Sequence, residues 1–472
     1  MAICPVVAGA AVFGGKIGLL AVIGVAGLVV GIYVGLRHPL WLYWSLAAVL
    51  GALPFGFFPG VHLPLYLLFV ASAALAALIH PSTGQPLHPI EKWIVLLIAV
   101  SGLAMVFTGV RIGGIVEFAR WALCTVIVVV LTRLPREHLV RFGQIFVVAA
   151  SFNALWGIAI VFVDKNQKSF KILKPFGYGG GEGLRGNTQI LATTGDGSSA
   201  LRLGGTWVLP NTAGLCLAIA LGICLIVFAG YARIILAAIL LAGVALTLSR
   251  SALFSVVLGI LLVLIFHGMK ARQRAGAISL CLLAVLVAFA VPQVRGRLFS
   301  SLGGSDVGAT ARSDAFAAWP GAMSGHWLFG AGWGRAEFQS GEAAYALVRT
   351  LPSNVPALTA FRAGSFAAII LVVALVLACV AGYRAIRSDS LPYALYGGIS
   401  IGVCVVALNL DKPVVDIQAA TATFSMMLAF LIYVDELRRK EQASSKVEPV
   451  ELLEGSDSTQ GRTPASSSAS TD

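Results

Sequence analysis

Long apolar runs alternate with short polar connections along most of the chain. A helix needs about 20 consecutive apolar residues to cross the hydrocarbon core of a bilayer, so each such run is interpreted as a membrane-spanning helix. The pattern predicts about thirteen of them, within a range of about twelve to fourteen, because residues 2–36 fit either one long helix or a broken pair. The predicted spans lie at about residues 17–36, 40–58, 62–80, 93–109, 113–132, 140–163, 207–228, 232–248, 251–267, 276–292, 363–383, 391–410 and 414–434. The predicted fold class is an all-α, polytopic integral membrane protein.

Two polar stretches interrupt this series, at residues 164–204 and 294–362. The second is long and rich in Gly, Arg, Ser and aromatic residues, and its backbone groups would lack hydrogen-bond partners in hydrocarbon. It is therefore predicted to lie at a membrane face or to cover a cavity, and it is the first place to look for function. From Ser444 the chain is rich in Ser, Thr and Glu, which predicts a disordered tail at 444–472 after a multi-span domain at 1–443.

The composition supports this fold class. The chain has 58% hydrophobic and 11% charged residues, whereas a soluble chain carries about 25% charged residues. The net charge of +12 is explained by basic loops on one side of the membrane and by contact with anionic lipid, rather than by nucleic acid. Four connections on the same side of the span order carry clustered basic residues, which makes that side, with the C-terminus, cytoplasmic. These residues are Arg133, Arg136, Arg141, Lys270, Arg272, Arg274, Arg384, Arg387, Arg438, Arg439 and Lys440. Both polar stretches are then extracytoplasmic.

No cofactor or metal site is predicted from the sequence. The seven cysteines are scattered without a Cys-x-x-Cys pair, and free cysteines in apolar runs behave as small buried hydrophobes. The glycine-rich stretch at 176–183 is not followed by Gly-Lys-Ser/Thr, so it is no nucleotide-binding P-loop. The lysines before it, spaced by three, indicate a basic interfacial helix that faces either solvent or an anionic lipid head group. They are Lys165, Lys168, Lys171 and Lys174.

Two arginines lie at the predicted outer ends of spans. Arg202 precedes residues 205–211 (Gly-Thr-Trp-Val-Leu-Pro-Asn), where the chain re-enters the membrane. Arg250 lies in a polar turn, residues 247–252 (Thr-Leu-Ser-Arg-Ser-Ala), within an apolar hairpin. An arginine at such an edge can simply extend its guanidinium to water, but one directed into a cavity can hold a phosphate through bidentate hydrogen bonds. An ionisable residue in this position is a functional hypothesis.

The long stretch 294–362 carries the remaining candidates for chemistry. Its only histidine, His326, follows Arg312 and Asp314, and Glu337 comes later. Two further charged sets lie at predicted outer ends, and both are interpreted as structural ion pairs in preference to catalysts. They are Glu117 with Arg120, and Asn409, Asp411, Lys412 and Asp416.

The order and spacing of these motifs resemble the bacterial O-antigen ligase and O-antigen polymerase superfamily. Arg202 and residues 205–211 resemble its Arg-x-x-Gly-Thr-Phe…Asn-Pro-Asn start of a span, and residues 247–252 resemble its Thr-x-Ser-Arg-Gly-Ala hairpin. Arg312, Trp319 and residues 326–332 resemble its loop signature, Arg…Trp…His-Pro-Leu-hydrophobic-Gly-x-Gly. Residues 353–364 resemble its His-Asn…Glu-x-Gly segment, so that the resemblance covers about residues 200–385.

The resemblance implies a glycosyltransferase built from membrane helices in the bacterial cytoplasmic membrane. Such enzymes move a glycan from a polyprenyl-pyrophosphate carrier to a hydroxyl of an acceptor lipid, glycan or protein on the outer face, without a nucleotide sugar or metal. Arg202 and Arg250 match the arginines that bind the pyrophosphate, and Arg312 is the candidate from the loop. Each well-placed donor could stabilise the departing charge by about 3–4 kcal/mol. Asn211 and Asn354 are secondary candidates for substrate binding.

The sequence departs from this family at two positions of the last motif. Ser353 stands where ligases carry a histidine proposed to handle the acceptor proton, and Arg362 stands where they carry a glutamate. A serine hydroxyl is a poor base at neutral pH. Three alternatives follow: the acid–base role passes to His326, Glu337 or Asp314; the acceptor differs; or the leaving phosphate takes the proton.

The main alternative function is a transporter or flippase of lipid-linked glycans. A transporter is expected to show related halves and charges near the bilayer midplane. No internal repeat is detected and most candidate charges lie at outer ends, which favours transfer over transport. A peptidoglycan polymerase of the shape-and-division type ranks last, because its hallmark segments are not found. Ligase and polymerase remain alternatives, because both use the same donor chemistry.

Overall fold

The computed structural model of the protein describes residues 29–31, 33–59, 63–80, 86–164, 168–178, 191–193, 199–290, 307–333, 354–411 and 413–454. This part of the chain is almost entirely α-helical. In chain order the helices are α1 Pro39–Ala52, α2 Leu65–Ile79, α3 Pro89–Phe107, α4 Ile112–Thr132, α5 Arg136–Phe162, α6 Pro210–Val227, α7 Gly230–Leu246, α8 Arg250–Phe266, α9 Ala271–Ala290, α10 Val307–Ala322, α11 Val355–Ile386, α12 Leu391–Gly402 and α13 Gln418–Glu454.

Shorter elements lie between α5 and α6 and after α12. Two 3₁₀ segments span Lys168–Phe176 and Gly205–Trp207. Strands β1 Leu191–Thr193 and β2 Ser199–Leu201 form an antiparallel ladder in which Leu191 lies opposite Leu201. After α12 the chain continues as a π-helical segment, Val403–Ala407, and two short helical turns, Leu408–Leu410 and Pro413–Asp416.

The described residues contain seven helices that are long and apolar enough to cross a membrane. They are α3, α4, α5, α6, α11, α12 with its continuation to Leu410, and α13 to Lys440, while α1, α2, α7 and α8 are shorter apolar helices. The predicted class of an all-α, multi-pass membrane protein is therefore confirmed in outline. Each predicted span from 40–58 onward coincides with a helix, and most of the one at 17–36 lies outside the described residues. The count of twelve to fourteen spans stays a prediction.

Helices α6 and α13 form the centre of the bundle, since 83% of the apolar segment of each is buried. Their neighbours approach closely through glycines, because small residues let helix backbones come together in a membrane protein. A side chain at Gly259 of α8 would come within 2.7 Å of the backbone of Gly398 in α12. A side chain at Gly402 would meet the backbone of Ser255 at 2.0 Å.

Polar contacts between helix termini gather the connections at two ends of the bundle. One end, called here the Arg202 end, gathers the C-termini of α1, α3, α5 and α7 and the N-termini of α4, α6, α8 and α11. The other, the Arg133 end, is tied together by polar contacts between helix termini. There, His267 Nδ1 lies 2.9 Å from the Ile386 carbonyl, and Arg133 pairs with Glu91 at 3.4 Å.

Helix α11 is broken at Gly364, where φ is +86° and ψ is 170°. The part after the break, residues 365–386, is about 33 Å long at about 1.5 Å per residue, enough to cross the hydrocarbon core of about 30 Å. The span predicted to begin at residue 363 thus begins at the break. The preceding residues of α11 and all of α10 are helical, although both lie in the predicted loop 294–362.

The C-terminal boundary also differs from the prediction. Helix α13 continues to Glu454, so residues 444–454 are helical although they lie within the predicted disordered tail. The remainder of that tail lies outside the described residues.

Candidate functional site

Arg202 joins two of the motifs that the sequence analysis singled out. Its Nε donates a hydrogen bond to the Thr247 carbonyl at 2.9 Å, and its Nη2 donates to Oδ1 of Asn211 at 2.6 Å. The adjacent backbone is tied to the same hairpin, because the Leu203 amide donates to the Leu246 carbonyl at 2.9 Å. The start of α6 and the turn before α8 are therefore held together around one half-buried guanidinium.

The turn that carries Arg250 is strained and hydroxyl-rich. Leu248 has a φ of +52°, a conformation that costs a non-glycine residue on the order of 1–3 kcal/mol and that clusters at functional sites. The Ser249 and Ser251 hydroxyls are hydrogen-bonded at 3.0 Å, and both residues are buried. Arg250 is the first residue of α8. A helix N-terminus carries partial positive charge, so this turn combines a guanidinium, hydroxyls and a dipole that all favour an anion.

The 3₁₀ turn after Arg202 is held by residues that sequence reasoning did not single out. The Thr206 amide donates to Oδ1 of Asn153 at 2.9 Å, and the Tyr178 hydroxyl donates to the Thr206 carbonyl at 3.1 Å. The turn also contains Val208 at a φ of +59°, which is unusual for a β-branched residue. Asn153 had a usable signal, because a buried amide within the apolar run 140–163 requires a polar partner. Tyr178 had none.

A polar pocket of about 230 Å³ adjoins this turn, lined by Phe55, Phe57, Pro64, Tyr66, Arg120, Ile417, Gln418 and Ala419. Phe55 connects it to the 3₁₀ turn, since its ring meets that of Trp207 edge-on at 6.2 Å. On the opposite wall Gln418 donates to Glu117 at 2.9 Å and accepts from the Tyr66 hydroxyl at 3.4 Å. Glu117 and Arg120 form the predicted ion pair at 3.3 Å. The pocket thus offers aromatic faces together with a guanidinium, an amide and a hydroxyl.

Arg362 forms a buried ion pair beside this pocket. Its side chain, 3% exposed, lies 3.3 Å from Oδ1 of Asp416, donates to the Val415 carbonyl at 2.7 Å and lies over the Trp333 ring at 5.1 Å. The interpretation of Asp416 as a structural ion-pair residue fits this contact. At the position where the resemblance expects a glutamate, the chain has an arginine, and a carboxylate from another element lies next to it.

We expect Arg362→Met to destabilise the protein by about 2–4 kcal/mol, because it removes a buried guanidinium that pairs with Asp416 and donates to the Val415 carbonyl. The thermal unfolding midpoint in detergent measures the effect, and the double variant R362M/D416L should lose less than the sum of the single changes. The matched control is Arg120→Ala, which breaks an ion pair whose side chains are 36% and 24% exposed and should cost about 0–1 kcal/mol. Equal losses for both single variants would contradict this role of Arg362.

The segment 326–333 covers this end of the bundle with many defined contacts. Its backbone completes the broken helix, since the Ala331 amide donates to the Phe361 carbonyl at 2.6 Å and the Ser365 amide donates to the Trp327 carbonyl at 2.8 Å. Phe329 stacks on Phe107 with ring centroids 4.4 Å apart. The segment also forms most of the wall of a surface pocket of about 480 Å³, which is lined by Phe107, Thr108 and residues 325–331. His326 lies in the wall of this pocket.

The other predicted site residues are distributed as follows. Asn354 caps α11 by accepting from the Ala357 amide at 2.8 Å, and it donates to Asn409 at 2.9 Å, which gives it a positioning role. Asp314 is exposed on α10. The backbone of Arg312 lies in α10, but its side chain, Glu337 and Ser353 fall outside the described part of the structure.

Within the part of the chain that the structure describes, no group of three His, Cys, Asp or Glu side chains is arranged to hold a metal ion. No family model fits the sequence, and no curated protein is significantly similar to it.

Proposed function

We propose that this protein is a membrane glycosyltransferase. It would move a glycan from a polyprenyl-pyrophosphate carrier to an acceptor hydroxyl at the extracytoplasmic face of the bacterial cytoplasmic membrane, in surface polysaccharide assembly. The observation that carries the proposal is the contact of Arg202 with Asn211 and the Thr247 carbonyl, which unites two arginine-bearing motifs at one end of the bundle.

The arrangement suits a pyrophosphate leaving group. Negative charge accumulates on the pyrophosphate as the glycosidic bond breaks, and donors already held in place stabilise it without reorganisation. Arg202 is held by two protein acceptors, and Arg250 is fixed at the start of a helix behind a strained turn. Arg312, on α10, is the third proposed ligand of the phosphates.

The surroundings offer places for the other parts of the substrate. Helix α7, which ends at the Arg250 turn, exposes Ile234, Ile235 and Leu241 by 65%, 58% and 41%, an apolar surface along which a polyprenyl chain can lie. The pocket of about 230 Å³ beside Trp207 presents aromatic faces and hydrogen-bonding groups suited to a sugar. We assign the acid–base role to His326, which lines a pocket large enough for an acceptor.

The experiment that tests this function is a profile of carrier-linked intermediates and surface glycan in a strain lacking the protein. Loss of the surface glycan is expected, with carrier-linked glycan accumulating on the outer leaflet. Accumulated full-length chains would identify a ligase, and accumulated single repeat units would identify a polymerase. Accumulation on the cytoplasmic leaflet would contradict transfer and favour the transporter alternative, and unchanged surface glycan and intermediates would contradict both.

A further inference from the structure

A second pocket, of about 190 Å³, lies at the Arg133 end, far along the helices from the proposed active site. It is formed between α4, α5 and α13. Its charged lining consists of three cations, Arg133, Arg136 and Lys440, and one carboxylate, Glu436, and Thr132 adds a hydroxyl. Its apolar lining comes mainly from Leu134, Pro135, Leu139, Ala429, Ile432 and Tyr433. The pocket therefore has a positive polar rim against an apolar wall.

Two of these cations contact neighbouring side chains. Arg133 Nη2 lies 3.4 Å from both carboxylate oxygens of Glu91, which is 1% exposed. The Glu91 carboxylate also accepts a hydrogen bond from the Thr132 hydroxyl. The Arg136 guanidinium lies 6.0 Å from the centroid of the Tyr433 ring. Because Glu91 already holds the Arg133 side chain, a ligand that binds Arg133 loses little further side-chain entropy.

The buried carboxylate next to the pocket, Asp435, is already neutralised. Asp435, 1% exposed, lies 2.7 Å from Arg439, 3.8 Å from Arg384 and 3.4 Å from His88. Among the residues that the structure describes, neither Arg136 nor Lys440 forms an ion pair, and both are exposed. Positive charge is therefore available at the pocket mouth.

We propose that this pocket binds the head group of an anionic phospholipid in the cytoplasmic leaflet. The clustered basic residues place this end of the bundle at the cytoplasmic interface. Basic pockets between helices on that side suit phosphate head groups, arginines bind phosphate oxygens through paired hydrogen bonds, and the apolar wall can meet the glycerol and first acyl carbons. Soluble phosphate shares the charge chemistry but gains nothing from the apolar wall.

The test uses the purified full-length protein in neutral detergent, titrated with phosphatidylglycerol, phosphatidylcholine or inorganic phosphate while bound lipid and thermal unfolding are measured. Phosphatidylglycerol alone is expected to bind and raise the unfolding midpoint. In Arg136→Ala/Lys440→Ala its apparent affinity should fall about 30-fold, from about 1 kcal/mol per basic residue. The charge-matched control, Lys270→Ala/Arg272→Ala, removes two exposed cations at the start of α9 and should bind like wild type.

Three results would overturn the proposal. They are equal losses in the two double variants, equal binding of phosphatidylcholine, and an equal response to inorganic phosphate, which would indicate a site for soluble phosphate. If the double variant fails to fold, the single charge reversal Lys440→Glu at the exposed end of α13 replaces it, and its affinity for phosphatidylglycerol should fall as well. Unchanged affinity in that variant would count against the site. The outcome is independent of the proposed transfer activity.

Discussion

Replacing Arg202 with alanine is expected to abolish glycan transfer while the protein still folds. The substitution removes the guanidinium that bonds both Asn211 and the Thr247 carbonyl, and with it a fixed positive charge at the proposed pyrophosphate site. Loss of one such preorganised donor lowers the catalytic rate by about 10²–10³-fold. The measurement is transfer from a purified carrier-linked glycan in proteoliposomes, together with surface glycan in cells that carry the variant.

Two variants separate the role of Arg202 from charge alone. Arg202→Lys keeps the charge but loses the planar fork, so we expect a rate between those of wild type and Arg202→Ala. Arg111→Ala removes an exposed arginine at the start of α4, also at the Arg202 end, and should transfer at the wild-type rate. If the folded Arg202→Ala variant transfers glycan at the wild-type rate, the proposed site is wrong. If Arg111→Ala lowers the transfer rate as much as Arg202→Ala does, the effect comes from surface charge and not from the position of Arg202.

Replacing Gly364 with alanine is expected to destabilise the protein strongly. The backbone there, at φ +86° and ψ 170°, lies in a region that only glycine occupies readily, at a cost of about 1–3 kcal/mol for other residues. In addition, a Cβ would lie 1.8 Å from the Leu328 carbonyl oxygen, and backbone cannot swing aside as a side chain can. Together these effects give a loss on the order of 4 kcal/mol. The midpoint of thermal unfolding should fall by about 5–10 °C.

The control for this variant is Gly321→Ala in α10, where a Cβ meets no atom within 4 Å. Its stability should stay within about 1 kcal/mol of wild type, because an alanine in a helix favours folding. Comparable losses in the two variants would show that the contact between residue 328 and the helix break does not determine the effect.

The helices of this fold were predictable from the sequence because hydrophobicity decides them. The apolar runs at 93–109, 113–132 and 140–163 correspond to α3, α4 and α5 with ends that differ by a few residues. The start of the transmembrane part of α11 was also predicted, since the polar stretch ends where the helix breaks. The helical residues 355–362 were missed, although most of them are apolar and buried. Their apolar run is much shorter than a membrane span of about 20 residues and ends at Arg362.

The candidate site was predictable in part. The sequence order of Arg202, Asn211 and Arg250 indicated shared chemistry, and the structure joins Arg202 to Asn211 and to the turn that carries Arg250. The partner of Arg362 could not be predicted, because Asp416 lies 54 residues away in the sequence and local patterns carry no such distance information. The glycines of segment 326–333 suggested a loop, but they did not predict that the loop packs in a defined way. Its contacts with α3 and α11 arise only when distant helices assemble.

The hydrogen bonds between segment 326–333 and α11 join parts of the chain that are synthesised in a fixed order. The Phe361 carbonyl and the Ser365 amide, on either side of the break, are completed by Ala331 and Trp327, which leave the ribosome before them. The backbone groups that complete the break are therefore already part of the chain when α11 is made, and the broken helix can dock onto them as it folds. Synthesis from the N-terminus supplies that order, and a circular permutation that opened the chain between residues 333 and 354 would reverse it.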